Sequence, residues 1–434
     1  MGILPFFKRS TLNSSLTRSN FTQHVRGSHR SRFRLACYIA FSYVFLHNIL
    51  LWQLGKSDAV SKRNVEVAIT MDLPQKDEHQ RSNMECPTLN ELAHRMAAYS
   101  SPPKSPSYLK NKQILNQANK YYIESPYFFF TSATENIDRA MSSYGLERVR
   151  TNSSKIDSDD PANEDVILFY WSSHLAPVHE FCEGSKCKEM TRIILQTEQL
   201  NGIKEQYKDC HLSPKCVLWD FSDFNLRRLQ EENLGDSVLL VPHMFQDRLN
   251  NVIPSTLKPS KDRSIDAVLF GGMTKRRKEF QAKYIVDYND TNAAIQHDHD
   301  NSLSSQNIRF QLKLNGMHHD YGNAKVCMVV HSLLTDSACE YHRLSEIARF
   351  GCILVVENVG DTMMIDALQK CGGVHFAGYN DIAKTIHEQL AYIEETTEPV
   401  LKERQEKYDK WWANGIDWDN FLETALGPRE RPRD

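Results

Sequence analysis

Three charged side chains recur at intervals of three residues in one short segment of the chain. They are Glu340, Arg343 and Glu346, and the segment is residues 325–361, KVCMVVHSLLTDSACEYHRLSEIARFGCILVVENVGD. Side chains three residues apart lie on the same face of a helix, so the spacing predicts one polar stripe. A carboxylate accepts hydrogen bonds from both hydroxyls of a ribose, and an arginine pairs with phosphate, so this stripe could bind a nucleotide.

The same stripe also has a purely structural explanation. Ser337 and Glu340 have the spacing of a capping box, in which the two residues cap the first turn of a helix reciprocally. The Glu–Arg–Glu series can equally form surface ion pairs, which contribute little to stability. The residue types alone leave both explanations open.

A second candidate anion site is a basic turn that follows a pair of glycines. Gly271 and Gly272 allow the backbone to approach a ligand closely. The helix predicted after them offers free N–H groups and a partial positive charge, to which Arg276 and Arg277 add fixed charge. The segment is neither a Walker A motif nor a full GxGxxG, and a solvated basic face is the alternative.

Three histidines are candidates for a general base, because imidazole titrates near neutral pH and can accept a proton from a hydroxyl. His174 follows a predicted strand in WSSH, His243 follows LLVP, and His331 ends a later strand. His174 is the first choice, since a loop at that strand end would face the expected cleft. Each of the three can instead be a structural histidine.

Two acidic triplets have the DxD spacing that can hold a divalent cation. They are residues 157–159 (DSD) and 298–300 (DHD), and both lie in polar, loop-like sequence. That context favours solvated carboxylates, so no metal site is predicted.

The elements that must position these residues alternate between strand-like and helix-like patterns. Residues 326–330 and 353–356 are continuous apolar runs, as expected of strands buried on both faces of a parallel sheet. The alternation begins at Val166, breaks at residues 254–264 and starts again at Ile265. It predicts an α/β protein with two Rossmann-like domains and parallel sheets that face a cleft. Ligands of such folds bind at the carboxyl edge of the sheet.

The N-terminal part of the chain has the charge pattern of a membrane anchor and a stem. Residues 1–34 hold seven Lys and Arg and no acid, and residues 35–54 form a run without formal charge that is long enough to span a bilayer. The basic side should stay cytoplasmic, which places the rest of the chain in the lumen. Residues 55–163 are mixed and polar, as expected of a stem. The sequons at Asn152 and Asn289 are then predicted glycosylation sites.

The predicted location is therefore the Golgi or ER membrane, in a single-pass type II orientation. An organelle transit peptide is the alternative, because the start of the chain is acid-free and rich in Ser and Arg. A cleaved signal peptide is disfavoured, since the apolar run is long and no small-residue cleavage site follows it.

Composition and cysteine usage agree with a folded lumenal body. The formal net charge of -3 over 434 residues argues against a general nucleic-acid binder. Two pairs of cysteines lie close in sequence among polar residues, which favours local disulfides, with zinc as the alternative. These pairs are Cys182 with Cys187 and Cys210 with Cys216. Cys327, Cys339 and Cys352 lie in or beside core elements and are expected to be buried thiols.

The succession of segments from Val166 to Leu390 resembles the GT-B-type glycosyltransferases, in particular the glycosyltransferase-1-like proteins related to bacterial polysaccharide and spore-coat enzymes. The order and spacing of the segments carry the resemblance. The segments are QTEQL (196–200), VLWDFSDFNLRRL (217–229), VPHMF (241–245), AVLFGGMTKRRKEF (267–280), YGNAKVCMVVH (321–331), EYHRLSEIARFGCILVVE (340–357) and GVHFAGYNDIAKTI (373–386).

The resemblance implies an acceptor domain at residues 164–258 and a nucleotide-sugar donor domain at residues 259–395. A C-terminal helix and tail follow at residues 396–434. We expect one long amphipathic helix over residues 381–410, after which Trp411 and its aromatic neighbours pack back across both domains.

The resemblance also implies roles for individual residues. Glu346 takes the place of the glutamate that holds the donor ribose, and Arg276 and Arg343 would stabilise the departing diphosphate. His174 completes the predicted catalytic set as the base. The predicted donor-binding set is Gly271, Gly272, Arg276, Arg277, Glu340, Arg343 and Glu346.

The resulting hypothesis is a membrane-anchored glycosyltransferase that uses neither a metal nor a cofactor. Its partners would be a nucleotide-sugar donor, a glycan or glycoprotein acceptor, and the membrane through one helix. Two alternatives remain: a catalytically inactive binding or scaffold protein of the same fold, and a metal-dependent transferase that uses Asp298 and Asp300. Because Glu340 and Glu346 stand six residues apart and the common retaining pattern has eight, the stereochemical outcome stays open.

Overall fold

The computed structural model describes most of the chain from Cys86 onward, within one compact unit that spans Asn83–Asp434. The described residues are 86–125, 130–150, 155–172, 181–197, 199–200, 205–245, 258–271, 274–284, 308–311, 321–331 and 337–430. The predicted cytoplasmic arm, the membrane-spanning segment and both sequons lie outside them. Within these ranges, no helix has the length and apolar character needed to cross a bilayer.

The first lobe is built on a six-stranded sheet in which all neighbours run parallel. In chain order, strands β1 to β8 are Lys120–Tyr122, Glu147–Arg148, Ile156–Asp157, Val166–Trp171, Cys182–Glu183, Thr191–Leu195, Cys216–Asp220 and Val238–Leu240. The sheet order is β2-β1-β4-β6-β7-β8, while β3 and β5 pair separately. Helices α1 to α5 of this lobe are Leu89–Ser100, Pro106–Gln117, Thr131–Ser143, Glu205–Leu212 and Asp223–Glu231.

The second lobe repeats the arrangement with a five-stranded parallel sheet of order β10-β9-β11-β12-β13. Strands β9 to β13 are Ile265–Phe270, Ile308–Gln311, Ala324–Val329, Ile353–Glu357 and Val374–Ala377. Helices α6 to α9 are Lys275–Tyr284, Tyr341–Ala348, Ile365–Lys370 and Ile382–Glu395. Two further helices, α10 (Glu398–Ala413) and α11 (Trp418–Leu426), end the described chain.

The apolar runs of the sequence become the central strands of both sheets. All six residues of β4 and five of the six in β11 are buried, so both faces of these strands are covered. One face of β4 packs on the small β3–β5 sheet. The prediction of an α/β protein with parallel sheets is confirmed. In both sheets the carboxyl ends of the strands lie along one edge, and this edge is where side chains can converge on a ligand.

The region predicted to be a stem belongs to the first lobe from Cys86 onward. Helix α1 begins with a capping box between Thr88 and Glu91, and α2 begins with Ser105 as its cap and Pro106 in its first turn. Both helices pack on the first lobe but bury only one face. Their exposed faces are polar, so the sequence of each helix is not hydrophobic as a whole. The Pro- and Ser-rich segment between them is a short, largely exposed connection within the first lobe.

The predicted single helix over residues 381–410 is two helices in the structure. Helix α9 ends at Glu395, and α10 begins at Glu398, with Pro399 in its first turn. Proline has no N–H to donate, so it fits a first turn and breaks a continuous helix.

The C-terminal helices connect the two lobes. Helix α10 contacts α7 of the second lobe, and α11 contacts α1 and α3 of the first. The indole N–H of Trp411 donates to Pro87 O over 2.8 Å, and that of Trp412 donates to Gly372 O over 2.9 Å. The expectation that the aromatic C-terminal segment packs across both domains is confirmed.

Four disulfides link cysteines within the described residues. The two local disulfides are confirmed, and a third joins Cys86 to Cys371 across 285 residues. The expectation of buried thiols at Cys327 and Cys352 is wrong, because these cysteines form the fourth disulfide. Strands β11 and β12 are hydrogen-bonded neighbours, which brings the Cα atoms of this pair to 5.7 Å. Cys339 is a buried free thiol, as expected.

Non-reducing peptide mapping should find these four links and a free Cys339. The substitution Cys86→Ser is expected to lower the free energy of unfolding by about 2–4 kcal/mol, because it releases a long loop in the unfolded chain. As a control, Cys339→Ala opens no link and should cost about 1 kcal/mol. A map with Cys86 free would contradict the pairing.

Candidate functional site

Polar residues collect at the carboxyl edge of the second sheet. Gly271 follows β9, His331 follows β11, Glu357 ends β12 and Tyr379 follows β13. Helices α6 and α7 both begin at this edge, so their N-terminal turns face the same space as the strand ends. The sequence reasoning predicted a ligand site at this edge.

The turn between β9 and α6 brings the backbone against an arginine. Gly271 has φ +125°, and a Cβ atom at this position would collide with the guanidinium of Arg277. The Arg277 side chain is buried and donates from Nε to Val330 O over 2.7 Å. Glycine is therefore required here, since it tolerates this φ and leaves room for the arginine.

Arg276 is engaged differently from its neighbour. Both of its terminal nitrogens donate to the carboxylate of Glu357, and both side chains are nearly inaccessible to solvent. Its guanidinium lies over the ring of Tyr379, 4.2 Å from the centroid. A carboxylate and an aromatic face thus already surround the guanidinium of Arg276.

Helix α7 contributes an ion pair between Glu340 and Arg343. The pair is partly buried, with side-chain exposures of 23% and 14%. The capping-box alternative is wrong, because the N-cap of α7 is Glu340 and no side chain caps this end. The ion-pair alternative is correct for Glu340 and Arg343, whereas Glu346 pairs with Arg349. The Glu340–Arg343 pair lies at the sheet edge rather than on the open surface.

The charges at this edge leave a positive excess. We call the five charged residues the arginine cluster: Arg276, Arg277, Glu340, Arg343 and Glu357. Burial, and then the like charge of Arg343, lower the pKa of Arg277. Burial works against the charge of Glu340, yet Arg343, His331 and Arg277 hold its pKa below the usual value. Among the described residues, three cations thus face two anions, an arrangement that suits a further anion.

The structure brings some of the predicted site residues together and leaves others apart. Gly271 and the members of the arginine cluster lie together, whereas Glu346, three residues beyond Arg343 on α7, pairs with Arg349 at 3.5 Å. Gly272 and His174 lie outside the described residues. The roles assigned to all of these residues stay predictions.

The two other histidine candidates are buried. His243 is inaccessible, packs edge-on against Trp171 and Phe221, and donates from Nδ1 to Val241 O over 2.8 Å. Burial lowers its pKa to about 4. His331 is also buried, with its Nε2 3.1 Å from Glu357 O. Both therefore act as structural histidines in the folded chain.

The acidic triplet at residues 157–159 has a structural task. The Asp159 carboxylate accepts from the backbone N–H of Ser185 at 2.9 Å and from its hydroxyl at 2.9 Å. Over the described part of the chain, no group of three or more His, Cys, Asp or Glu could hold a metal ion. The triplet at residues 298–300 lies outside it.

The sequence reasoning missed Glu357 and Tyr379. One signal was available for Glu357, which is a carboxylate at the end of an apolar strand and therefore needs a partner. Nothing in the sequence indicated that the partner is Arg276.

The two lobes meet through a pair of buried carboxylates. Asp361, in the loop after β12, accepts from the Ser222 hydroxyl at 2.7 Å and from Phe224 N at 3.3 Å, both at the start of α5. In return, Asp223 accepts from Thr362 N at 3.0 Å and from its hydroxyl at 2.8 Å. Each lobe therefore caps the backbone of the other, and we call this contact the carboxylate latch.

The two carboxyl groups of the carboxylate latch have pKa values that are shifted in opposite directions. Burial, and then the charge of Asp223, raise the pKa of Asp361 to about 7. Burial also opposes the charge of Asp223, but hydrogen bonds from Asp361 and Thr362 and the charge of Arg227 keep its pKa below the usual value. Two ionised carboxylates this close and this buried would repel each other, so a protonated Asp361 suits the contact.

Comparisons with known proteins give a general similarity only. The sequence matches no family model, and it matches no curated protein. The β-glucosyltransferase of T4 phage is 12% identical, with a TM-score of 0.42 over 71% of this chain and 99% of that one. A glycosyltransferase from Rickettsia africae is 11% identical, with a TM-score of 0.42 over 72% and 97%. TarM is 9% identical, with a TM-score of 0.43 over 62% and 55%. At such low values, no residue role or substrate follows for this chain.

The carboxylate latch predicts a pH-dependent difference in stability between the protein and its Asp361→Asn variant. The folded state keeps the proton of Asp361 up to about pH 7, whereas an unfolded aspartate releases it near pH 4. The contribution of Asp361 is therefore fully present below about pH 4 and is lost as the pH rises to about 7. Asparagine mimics the protonated form, so the variant should gain stability relative to the parent over this interval.

Chemical denaturation of both proteins between pH 4 and 8 measures this difference. Asp366→Asn is the matched control, since this carboxylate is 71% exposed on α8 and should give no such trend. A stability difference that does not change with pH would show that Asp361 ionises normally.

Proposed function

We propose that this chain is a glycosyltransferase that binds a nucleotide sugar at the carboxyl edge of the second lobe. The observation that carries the proposal is the placement of Arg277 beside Arg343. Their like charges oppose each other in a largely buried position, at the end of a parallel sheet and next to a glycine turn. A diphosphate is the ligand that such an arrangement suits, because two guanidinium groups can engage two phosphate groups.

The proposed chemistry follows from the charge that develops during transfer. The bond between the anomeric carbon and the diphosphate oxygen breaks, and the electron pair stays with the departing nucleoside diphosphate. An acceptor hydroxyl forms the new bond and loses its proton to a base, for which His174 remains the predicted residue. Arg277 and Arg343 would stabilise the leaving group, a task that a divalent metal performs in other transferases.

The other parts of the proposal concern the acceptor and the compartment. The first lobe would bind the acceptor glycan and hold it opposite the donor, as a cleft between two α/β lobes allows. The four disulfides support an oxidising environment, as expected for a lumenal body behind a type II signal anchor at residues 35–54. A Golgi or ER location is proposed on this basis.

A second candidate function is nucleotide-sugar binding without transfer. It is favoured by the burial of His243 and His331, which leaves neither of them as an accessible base. The two functions share the donor site and differ only in turnover.

Substitution of the two opposed arginines should weaken nucleotide binding. Arg277→Ala and Arg343→Ala are each expected to reduce the affinity for UDP or GDP by about 10- to 100-fold, since a hydrogen bond to a charged group contributes about 1.5–3 kcal/mol. Lys275→Ala is the matched control, because this residue is 93% exposed in the same turn of α6. Isothermal titration calorimetry measures the affinities; unchanged binding in both arginine variants would contradict the donor site.

A screen of nucleotide sugars tests the reaction itself. The lumenal body should release nucleoside diphosphate from one donor, with and without EDTA, because arginines would supply the positive charge. Binding without release, in the presence of candidate acceptor glycans, would favour the second candidate function. Release that needs added Mn²⁺ would instead support the metal-dependent alternative.

A further inference from the structure

The hydrogen bonds between Arg276 and Glu357 suggest that Arg276 does not bind the diphosphate directly, contrary to the prediction from the sequence. We propose that Glu357 and Arg276 form a positioning pair, which fixes the first turn of α6 on the sheet edge so that the neighbouring Arg277 meets the anion. The inference rests on the proposed function, since it concerns the same anion site. It assigns a task to Glu357, and it changes Arg276 from a phosphate ligand to a supporting residue.

The first observation is the geometry of the pair. Each terminal nitrogen of Arg276 donates to a different oxygen of Glu357, so the two planar groups face each other in the bidentate arrangement. The residues are 7% and 3% exposed. A guanidinium already held in this way has its strongest donors directed at the carboxylate and away from a ligand.

The second observation is that the pair connects the start of α6 to three strand ends. Glu357 ends β12 and accepts from His331 N, after β11, at 2.9 Å. Tyr379, after β13, stacks on the Arg276 guanidinium and donates from its hydroxyl to Arg276 O over 3.2 Å. Arg276 also donates from Nη1 to His331 O over 3.4 Å, so a displacement of the first turn of α6 would break contacts with the ends of β11, β12 and β13 at once.

The third observation is the position of Arg277, the next residue in the chain. Its Nε donates to Val330 O at the end of β11, and its guanidinium occupies the space that Gly271 leaves open. Arg277 can hold this place beside Arg343 only while the turn that carries it stays fixed. The pair thus positions a ligand-binding residue without touching the ligand itself.

Positioning and simple electrostatics predict opposite effects for the loss of the Glu357 charge. If Glu357 acted only through its charge, its removal would increase the positive potential and tighten the binding of an anion. If it positions the turn, Glu357→Gln should weaken the binding of UDP and of inorganic pyrophosphate by about 10-fold, because small displacements of binding groups are costly. Asp266→Asn is the matched control, since Asp266 pairs with Lys325 at 3.1 Å in the same sheet, away from this edge.

A double-mutant cycle identifies the residue that contacts the phosphate. Arg276→Gln, Glu357→Gln and the double variant are titrated with the same two probes. For a positioning pair the double variant should bind more tightly than either single variant, because neither partner is left buried and unpaired. If Arg276 contacts the phosphate, the double variant will bind no better than Arg276→Gln, and the inference is overturned.

Hydrogen exchange of the ligand-free proteins gives a readout that does not depend on binding. The amides of Arg277 and Lys278 should exchange faster in Glu357→Gln than in the parent and in Asp266→Asn. Unchanged exchange, or tighter anion binding by Glu357→Gln, would refute the positioning role alone. A parent protein that binds neither probe, in which Glu357→Gln still accelerates exchange at α6, would refute the proposed function and leave the positioning of the turn supported.

Discussion

Buried positive charge at the carboxyl edge of the second sheet is the constraint on which the site depends. A guanidinium away from water is costly unless it is paired, and among the described residues the arginine cluster brings the carboxylates of Glu340 and Glu357 together with three arginines. Two features of the surrounding chain accommodate these buried arginines. The chain has glycine at residue 271, and β12 ends with an acid inside an otherwise apolar strand.

The lobes are joined by a second buried polar contact, which is made by acidic residues. In the carboxylate latch, Asp223 and Asp361 each cap the backbone of the other lobe, so the contact is both polar and specific. Tyr341 of α7 packs between Phe221 and Phe245 of the first lobe beside this contact. The helix that carries Arg343 is therefore held by residues of both lobes, and the geometry of the donor side depends on the lobe interface.

The fold was largely predictable, while the site was predictable only in part. Continuous apolar runs can be satisfied only by burial on both faces, and this requirement is enough to identify β11 and β12 from their residues alone. The boundary of the first lobe was not predictable, because α1 and α2 bury one face each and their composition resembles that of a solvated stem. The arginines were identified by type and spacing, and so was the Glu340–Arg343 pair, but the partner of Arg276 was not.

The sequence by itself determined the interactions between residues that lie close together in the chain. The three-residue spacing of Glu340 and Arg343 brings them within reach at the start of one helix, and separations of five and six residues favour two of the disulfides. The tertiary structure alone decided the pairs that lie far apart: Arg276 with Glu357 over 81 residues, Ser222 with Asp361 over 139, and Cys86 with Cys371 over 285. Such partners meet only when strands take their order in a sheet, and no short segment of chain contains that order.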